Sequence, residues 1–295
     1  GLESLAAHPE HRAQDFLDAF RDPEIDAILC AIGGDDTYRL APYLFSNDEL
    51  KNAVTKKPFL GFSDTTLNHF MLHKVGLPTF YGQAFLPDVC ELAPEMLPYT
   101  KRYFEEFLKT GTIREVRPSE LWYTSRTDFS PEALGTELPA HKNTGFELLQ
   151  GPAQFEGEIL GGCIDSMYEM FSGWRYGDMP EVCRNYGLFP SMDDWRGKIL
   201  LMESCEEYMP PETYKKALET LQETGVFDAV SGVLVGKPMD DMYHAEYKKL
   251  LVSIIANKEL PILCNINVGH AQPRCILPFG VPAHVDADAQ VIRFG

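Results

Sequence analysis

Apolar residues along this chain fall either at helical spacing or in short unbroken runs, and the two kinds of segment alternate. Ala13, Phe16, Leu17 and Phe20 recur on one helical face, and Asp22-Pro23 ends it. Residues 25–32 then form an apolar run, the pattern of a buried strand, stopping at Gly33-Gly34. The spacing predicts a short helix over 38–44, a strand over 58–62 and a helix over 64–75 with Leu67, Phe70 and Met71 inward. Strands alternating with helices predict a parallel sheet covered on both faces, with ligands held at the carboxyl ends of its strands. Gly33-Gly34 and Ser63 both fall at such ends.

Over 119–150 the periodicity fades into Trp122, Tyr123, prolines and polar residues, the composition of a long functional loop or an interdomain crossing. This predicts an N-terminal α/β domain over 1–118 bearing Ser63, a linker over 119–150 and a C-terminal α/β domain over 151–295. The later part resumes with a strand over 157–164 and another over 198–202. A helix follows with Tyr214, Ala217, Leu218 and Leu221 on one face, then a strand over 230–235. A helix with Tyr247, Leu250, Leu251 and Ile254 inward, a strand over 261–264 and a final pair over 283–286 and 290–294 complete the pattern.

With 295 residues, 44% hydrophobic and 24% charged, the chain can bury a sizeable core in two domains. A formal net charge of -18 repels nucleic acid and anionic membranes, so a small-molecule partner is expected. No apolar stretch approaches the roughly 20 residues of a membrane span, and no export signal is legible, which makes the cytoplasm the expected compartment. The 7 cysteines are scattered without a C-x-x-C pair, which suits reduced thiols better than a disulfide frame or zinc site. The chain opens at Gly1 rather than Met, as expected of a chain lacking an upstream piece.

The segment Gly61-Phe62-Ser63-Asp64 suits a nucleophile: a strand turning sharply into a helix exposes the side chain at the turn, while free amide hydrogens point at what it attacks. Ser63-Asp64 equally suits a plain helix cap. A serine nucleophile needs a base and an acid to orient that base. Of the 8 histidines, only His270 directly follows a strand; His8, His11, His141, His244 and His284 lie in polar surroundings. His69 and His73 share a helix face but have no further metal ligand in view, so they read as packing or surface groups. Glu203 ends an apolar strand, where burial would demand a partner that a histidine could supply, but it suits a solvated strand-end acid equally, as Glu206 and Glu207 just after it are. The amides of Gly34 and Asp64 are placed to hold an oxyanion. Gly33-Gly34 could also be a tight turn or part of a phosphate loop, but Asp35-Asp36 would repel phosphate.

Taken in order, Ala31-Ile32-Gly33-Gly34, the Ser63 elbow, Glu203-Ser204-Cys205-Glu206-Glu207, Val235-Gly236-Lys237-Pro238 and Gly269-His270-Ala271-Gln272-Pro273 resemble the LD-carboxypeptidase family of serine peptidases. Within it the chain is most similar to the microcin C immunity protein-like branch. The resemblance implies Ser63 as nucleophile, His270 as base, Glu203 as orienting acid and an oxyanion hole at Gly34 and Asp64. It implies a flavodoxin-like N-terminal sheet, a smaller C-terminal α/β domain, a cleft between them, a homodimer, and no metal or cofactor. Its substrates carry a free carboxylate, for which Lys237, Arg274 and Arg175 are candidates, and a loop tryptophan, here Trp122, can stack on adenine. The implied substrate is an LD-peptide bond of a muropeptide or an aminoacyl-nucleotide-like amide. Family members begin with a strand and helix ahead of this chain's start, and Cys163 stands where many carry Asn. Two rivals remain: a solute-binding protein that uses Ser63 and Gly34 only as hydrogen-bond donors, and a cysteine-dependent hydrolase, for which Cys90 is the nearest thiol to the elbow in sequence.

Overall fold

The computed structural model describes residues 6–295. Helix α1 (Pro9–Arg21) buries Ala13, Leu17 and Phe20, the face that their spacing predicts. The first sheet has the order β1 (Ile28–Leu29), β2 (Phe59–Gly61), β3 (Phe80–Tyr81) and β12 (Leu277–Pro278). Its first three strands are parallel and β12 runs antiparallel to β3. Helix α2 (Thr66–Lys74) follows β2 and buries Leu67, Phe70 and Met71.

The second sheet has eight strands, with β8 (Gln154–Cys163), β9 (Ile199–Glu203), β10 (Gly232–Gly236) and β11 (Ile262–Ile266) parallel at its centre. Strand β7 (Glu147–Gln150) pairs antiparallel with β11 at one edge. At the other, β13 (Pro282–Asp286), β14 (Val291–Phe294) and β4 (Glu115–Val116) add antiparallel strands. β9, β10 and β11 are buried along their whole length, which explains their near-continuous apolar sequences. The class is mixed α/β with parallel-containing sheets, as the alternation predicts.

Three expectations need correction. The apolar run over 25–32 pairs only at Ile28–Leu29, and Ile32 is 59% exposed. The reason is position: β1 bonds to β2 alone at the edge of the sheet, and the chain then turns toward the Gly33-Gly34 loop. The segment 119–150 is not irregular. It holds β7 and a hairpin of β5 (Leu121–Tyr123) and β6 (Ala140–Lys142), strands too short and too exposed to show alternation. Between β8 and β9, where no element is predicted, the chain forms helices Ile164–Ser172, Met179–Asn185 and Met192–Trp195. The first and third of them pack against α2, with Trp195 fully buried edge-on to Phe70, and the second packs on the first.

The chain after β11 crosses back to the first sheet, where it supplies β12. Along this crossing Arg274 is 5% exposed. Its guanidinium binds Asp88 at 2.9 Å, the carbonyl of His270 at 2.8 Å and that of Gly269. Replacing one member of a buried ion pair strands the other charge. Arg274→Met should therefore cost about 3–5 kcal/mol, read as a lower midpoint in urea unfolding.

Candidate active site

Ser63 follows β2 at the start of the turn into α2, with φ at 69°, in the left-handed region that few non-glycine residues occupy. A strained residue at a strand-to-helix turn presents its side chain outward. Gly33 makes room for it, because a Cβ there would lie 2.5 Å from the Ser63 Cβ and 2.7 Å from its Oγ. Glu203 ends β9, and His270 follows β11 by a short turn through Gly269.

The structure brings these three side chains into line. His270 Nε2 is 3.0 Å from Ser63 Oγ, and His270 Nδ1 is 2.7 Å from Glu203 Oε2. The His270 backbone amide donates to the same carboxylate oxygen at 3.1 Å. Gly269 is at φ 83°, and a Cβ there would overlap the Glu203 carboxylate, so only glycine lets the loop close over it. Glu203 is 2% exposed and His270 6%. Burial alone would lower the imidazole pKa, but the carboxylates of Glu203 and Glu206 outweigh it and push His270 up from 6.5 to about 10.

Gly34 and Asp64 line the same pocket as Ser63. The Asp64 carboxylate is turned away to accept the Thr37 amide at 2.9 Å, and burial raises its pKa. Arg175 also lines this pocket, where Glu207 at 2.8 Å, Glu169 at 3.3 Å and Asp35 at 3.8 Å surround it. Trp122 and Lys237 meet each other instead. The Lys237 ammonium sits 4.9 Å from the Trp122 ring centroid and pairs with Asp241, and Trp122 stacks on His141 at 4.1 Å. This pair stands beside the crossing segment, because the neighbouring Tyr123 amide donates to the Gln272 carbonyl at 3.0 Å. Arg274 lies behind His270 with its donors on protein acceptors, so it holds the loop rather than facing the pocket.

The remaining candidates take bland places. His69 is fully buried against Phe59, with one nitrogen 2.7 Å from Thr79 Oγ1, and burial pulls its pKa to about 3. His73 lies 3.9 Å from Asp194. Cys90 is exposed, and the elbow itself is Ser63.

Two residues of the site escape a reading of sequence. Tyr81, at the end of β3, accepts the Ser63 amide at 3.1 Å and donates to Glu203 Oε1 at 2.6 Å. Thr79-Phe80-Tyr81, a β-branched residue and two aromatics stopped by Gly82, is the signal that marks this strand. Glu206 is not simply solvated: its Oε2 lies 3.1 Å from His270 Nε2, competing with Ser63, although its side chain is 62% exposed. That contact holds Glu206 down at about 2.

A hydroxyl on an imidazole that is itself held by a carboxylate can attack a carbonyl. Comparison with known proteins places the chain in a family. The LD-carboxypeptidase N-terminal domain matches residues 2–82, and the LD-carboxypeptidase C-terminal domain matches residues 156–285. A crystal structure of an MccF-like protein from Streptococcus pneumoniae in complex with AMP is 59% identical; the match covers 100% of this chain and 86% of that one, with a TM-score of 0.99. The structure of MccF in complex with glutamyl sulfamoyl guanosine is 25% identical, covering 97% and 80%, with a TM-score of 0.77. The microcin C7 self-immunity protein MccF of Escherichia coli is 27% identical over 288 residues, 95% of this chain and 76% of that protein. The chain belongs to the LD-carboxypeptidase family of serine peptidases, and it is a hydrolase.

Proposed function

We infer that the chain hydrolyses an amide bond of an aminoacyl-nucleotide-like molecule through an acyl-enzyme on Ser63. The observation that carries this reading is the unbroken line of contacts from Ser63 Oγ through His270 to Glu203, at 3.0 and 2.7 Å. His270 takes the hydroxyl proton as Ser63 attacks, and the carbonyl oxygen becomes an oxyanion between the amides of Gly34 and Asp64. The imidazolium, held by Glu203, then protonates the leaving amine and later activates water to free the acyl group. The nucleotide-like substrate is supported by the AMP bound to the pneumococcal relative and by the glutamyl sulfamoyl guanosine bound to MccF. Trp122 offers the aromatic face for a base, with Lys237 beside it.

Incubation with an aminoacyl sulfamoyl adenosine and, separately, with a muropeptide tests the reading by mass spectrometry. Release of the free amino acid from the first supports it, and cleavage of the muropeptide alone moves the substrate to the LD-peptide bond. Ser63→Ala should lower kcat by on the order of a million-fold, and Glu203→Gln by about ten-thousand-fold. A Ser63→Ala variant retaining near-normal turnover overturns the mechanism.

The pH dependence follows from His270. A base must be neutral to act, and its pKa in the resting site is about 10, so kcat/KM should climb from neutral pH toward that value. Glu206→Gln removes one of the two carboxylates that favour the imidazolium and should move this limb to lower pH. Stability runs the opposite way: a pKa above the ordinary 6.5 contributes stability that is fully present below 6.5 and is lost as pH rises through about 10. Paired pH–rate and pH–melting series on wild type and Glu206→Gln check both signs.

A further inference from the structure

Cys163 ends β8 opposite Glu203 at the end of β9, where the two are register partners. Its side chain is buried at 1% exposure, and one donor atom each from Cys163, Glu203 and His270 lies within 4.8 Å of the other two. A thiolate, a carboxylate and an imidazole are the donor types that zinc takes, and a site with three protein ligands leaves its fourth position open. Bonds of about 2.0–2.3 Å place tetrahedral donors roughly 3.5 Å apart, so closure on an ion asks the side chains to move by about 1 Å. One outer contact that would orient a ligand is already present, the Tyr81 hydroxyl donating to Glu203 Oε1 at 2.6 Å, while the Cys163 thiol donates to Asp165 Oδ2 at 3.7 Å, a bond that zinc would have to replace.

The route to these donors also suits a cation. Cys163 lines the pocket that exposes Ser63, whose walls carry Asp35, Asp165, Glu169, Glu206 and Glu207 against the single guanidinium of Arg175. A recess lined by one sign of charge concentrates the opposite ion.

We propose that Zn2+ enters through this pocket, binds Cys163 Sγ, His270 and Glu203 behind its wall and inhibits the enzyme. Binding displaces the thiol proton and the imidazole proton shared with Glu203, so affinity rises with pH. An imidazole bonded to zinc no longer passes protons between Ser63 and a leaving group. The inhibition rests on the hydrolase mechanism above, whereas the binding stands without it. Among the described residues, His8, Glu10 and His11 form the other cluster of donors, exposed on the surface, and the test must separate the two.

Zn2+ affinity, measured against a chromophoric chelator with no substrate present, is compared in wild type, Cys163→Ser and a His8→Ala/His11→Ala double variant. Loss of a ligand should weaken zinc at least about tenfold in Cys163→Ser, with the double variant near wild type. Inhibition, taken relative to each variant's own uninhibited rate, should follow the same order. Equal zinc affinity in Cys163→Ser and wild type overturns the site, as does loss confined to the double variant. Co2+ added to wild-type protein supplies a readout that needs no folded Cys163 variant: a sulfur-to-metal absorption band is expected, and its absence overturns the site. A chain that binds zinc through Cys163 yet hydrolyses no amide overturns the mechanism and keeps the site. One that hydrolyses but binds no zinc there does the reverse.

Discussion

The Glu203 carboxylate, withdrawn from water at the end of a central strand, is the constraint around which the site is organised. Burying a carboxylate is costly unless donors replace its water. Here three do so: the Tyr81 hydroxyl from the first sheet, and the backbone amide and imidazole of His270 from the segment that crosses between sheets. Both of these residues also contact Ser63. Tyr81 accepts the Ser63 backbone amide, and His270 Nε2 lies 3.0 Å from Ser63 Oγ. Satisfying one buried charge thus sets the distance between two sheets and aligns the groups at their junction.

The crossing segment makes that junction rigid. From β11 the chain runs through His270 and Arg274 to β12, a strand of the first sheet supplied by the last part of the sequence. Arg274 ties it to Asp88, and the Asn267 side chain accepts the Ser119 amide at 2.9 Å, which joins the hairpin bearing Trp122 to the same segment. The packing that stabilises the fold and the hydrogen bonds that orient the imidazole are the same contacts. A site held this way loses little entropy on reaching its working geometry.

Electrostatics shape what the pocket does at rest. Carboxylates crowd it, and burial raises Glu169 to about 7 even with Arg175 beside it. The excess of negative charge over the whole chain therefore has a local counterpart around Ser63. Glu206 shares the His270 ring nitrogen with Ser63, and its carboxylate favours the charged form of the imidazole.

Periodicity alone did not reveal the three helices between β8 and β9, but it determined the inward faces of α1 and α2 and the central strands of the second sheet. These depend on residues a few positions apart, whose burial leaves a repeat in the chain. The elbow at Ser63 and the strand-end positions of Glu203 and His270 were legible for the same local reason. Tyr81, Glu206 and the role of Arg274 were not, because each acts on a partner far away in sequence: Tyr81 on Glu203, Glu206 on His270, Arg274 on Asp88. Nor could the run over 25–32 reveal that it lies at a sheet edge, since an apolar run reads alike wherever its neighbours are. Which side chains converge, and which arginine is spent on structure, was decided only when the chain closed on itself and each buried charge had to find its counterpart.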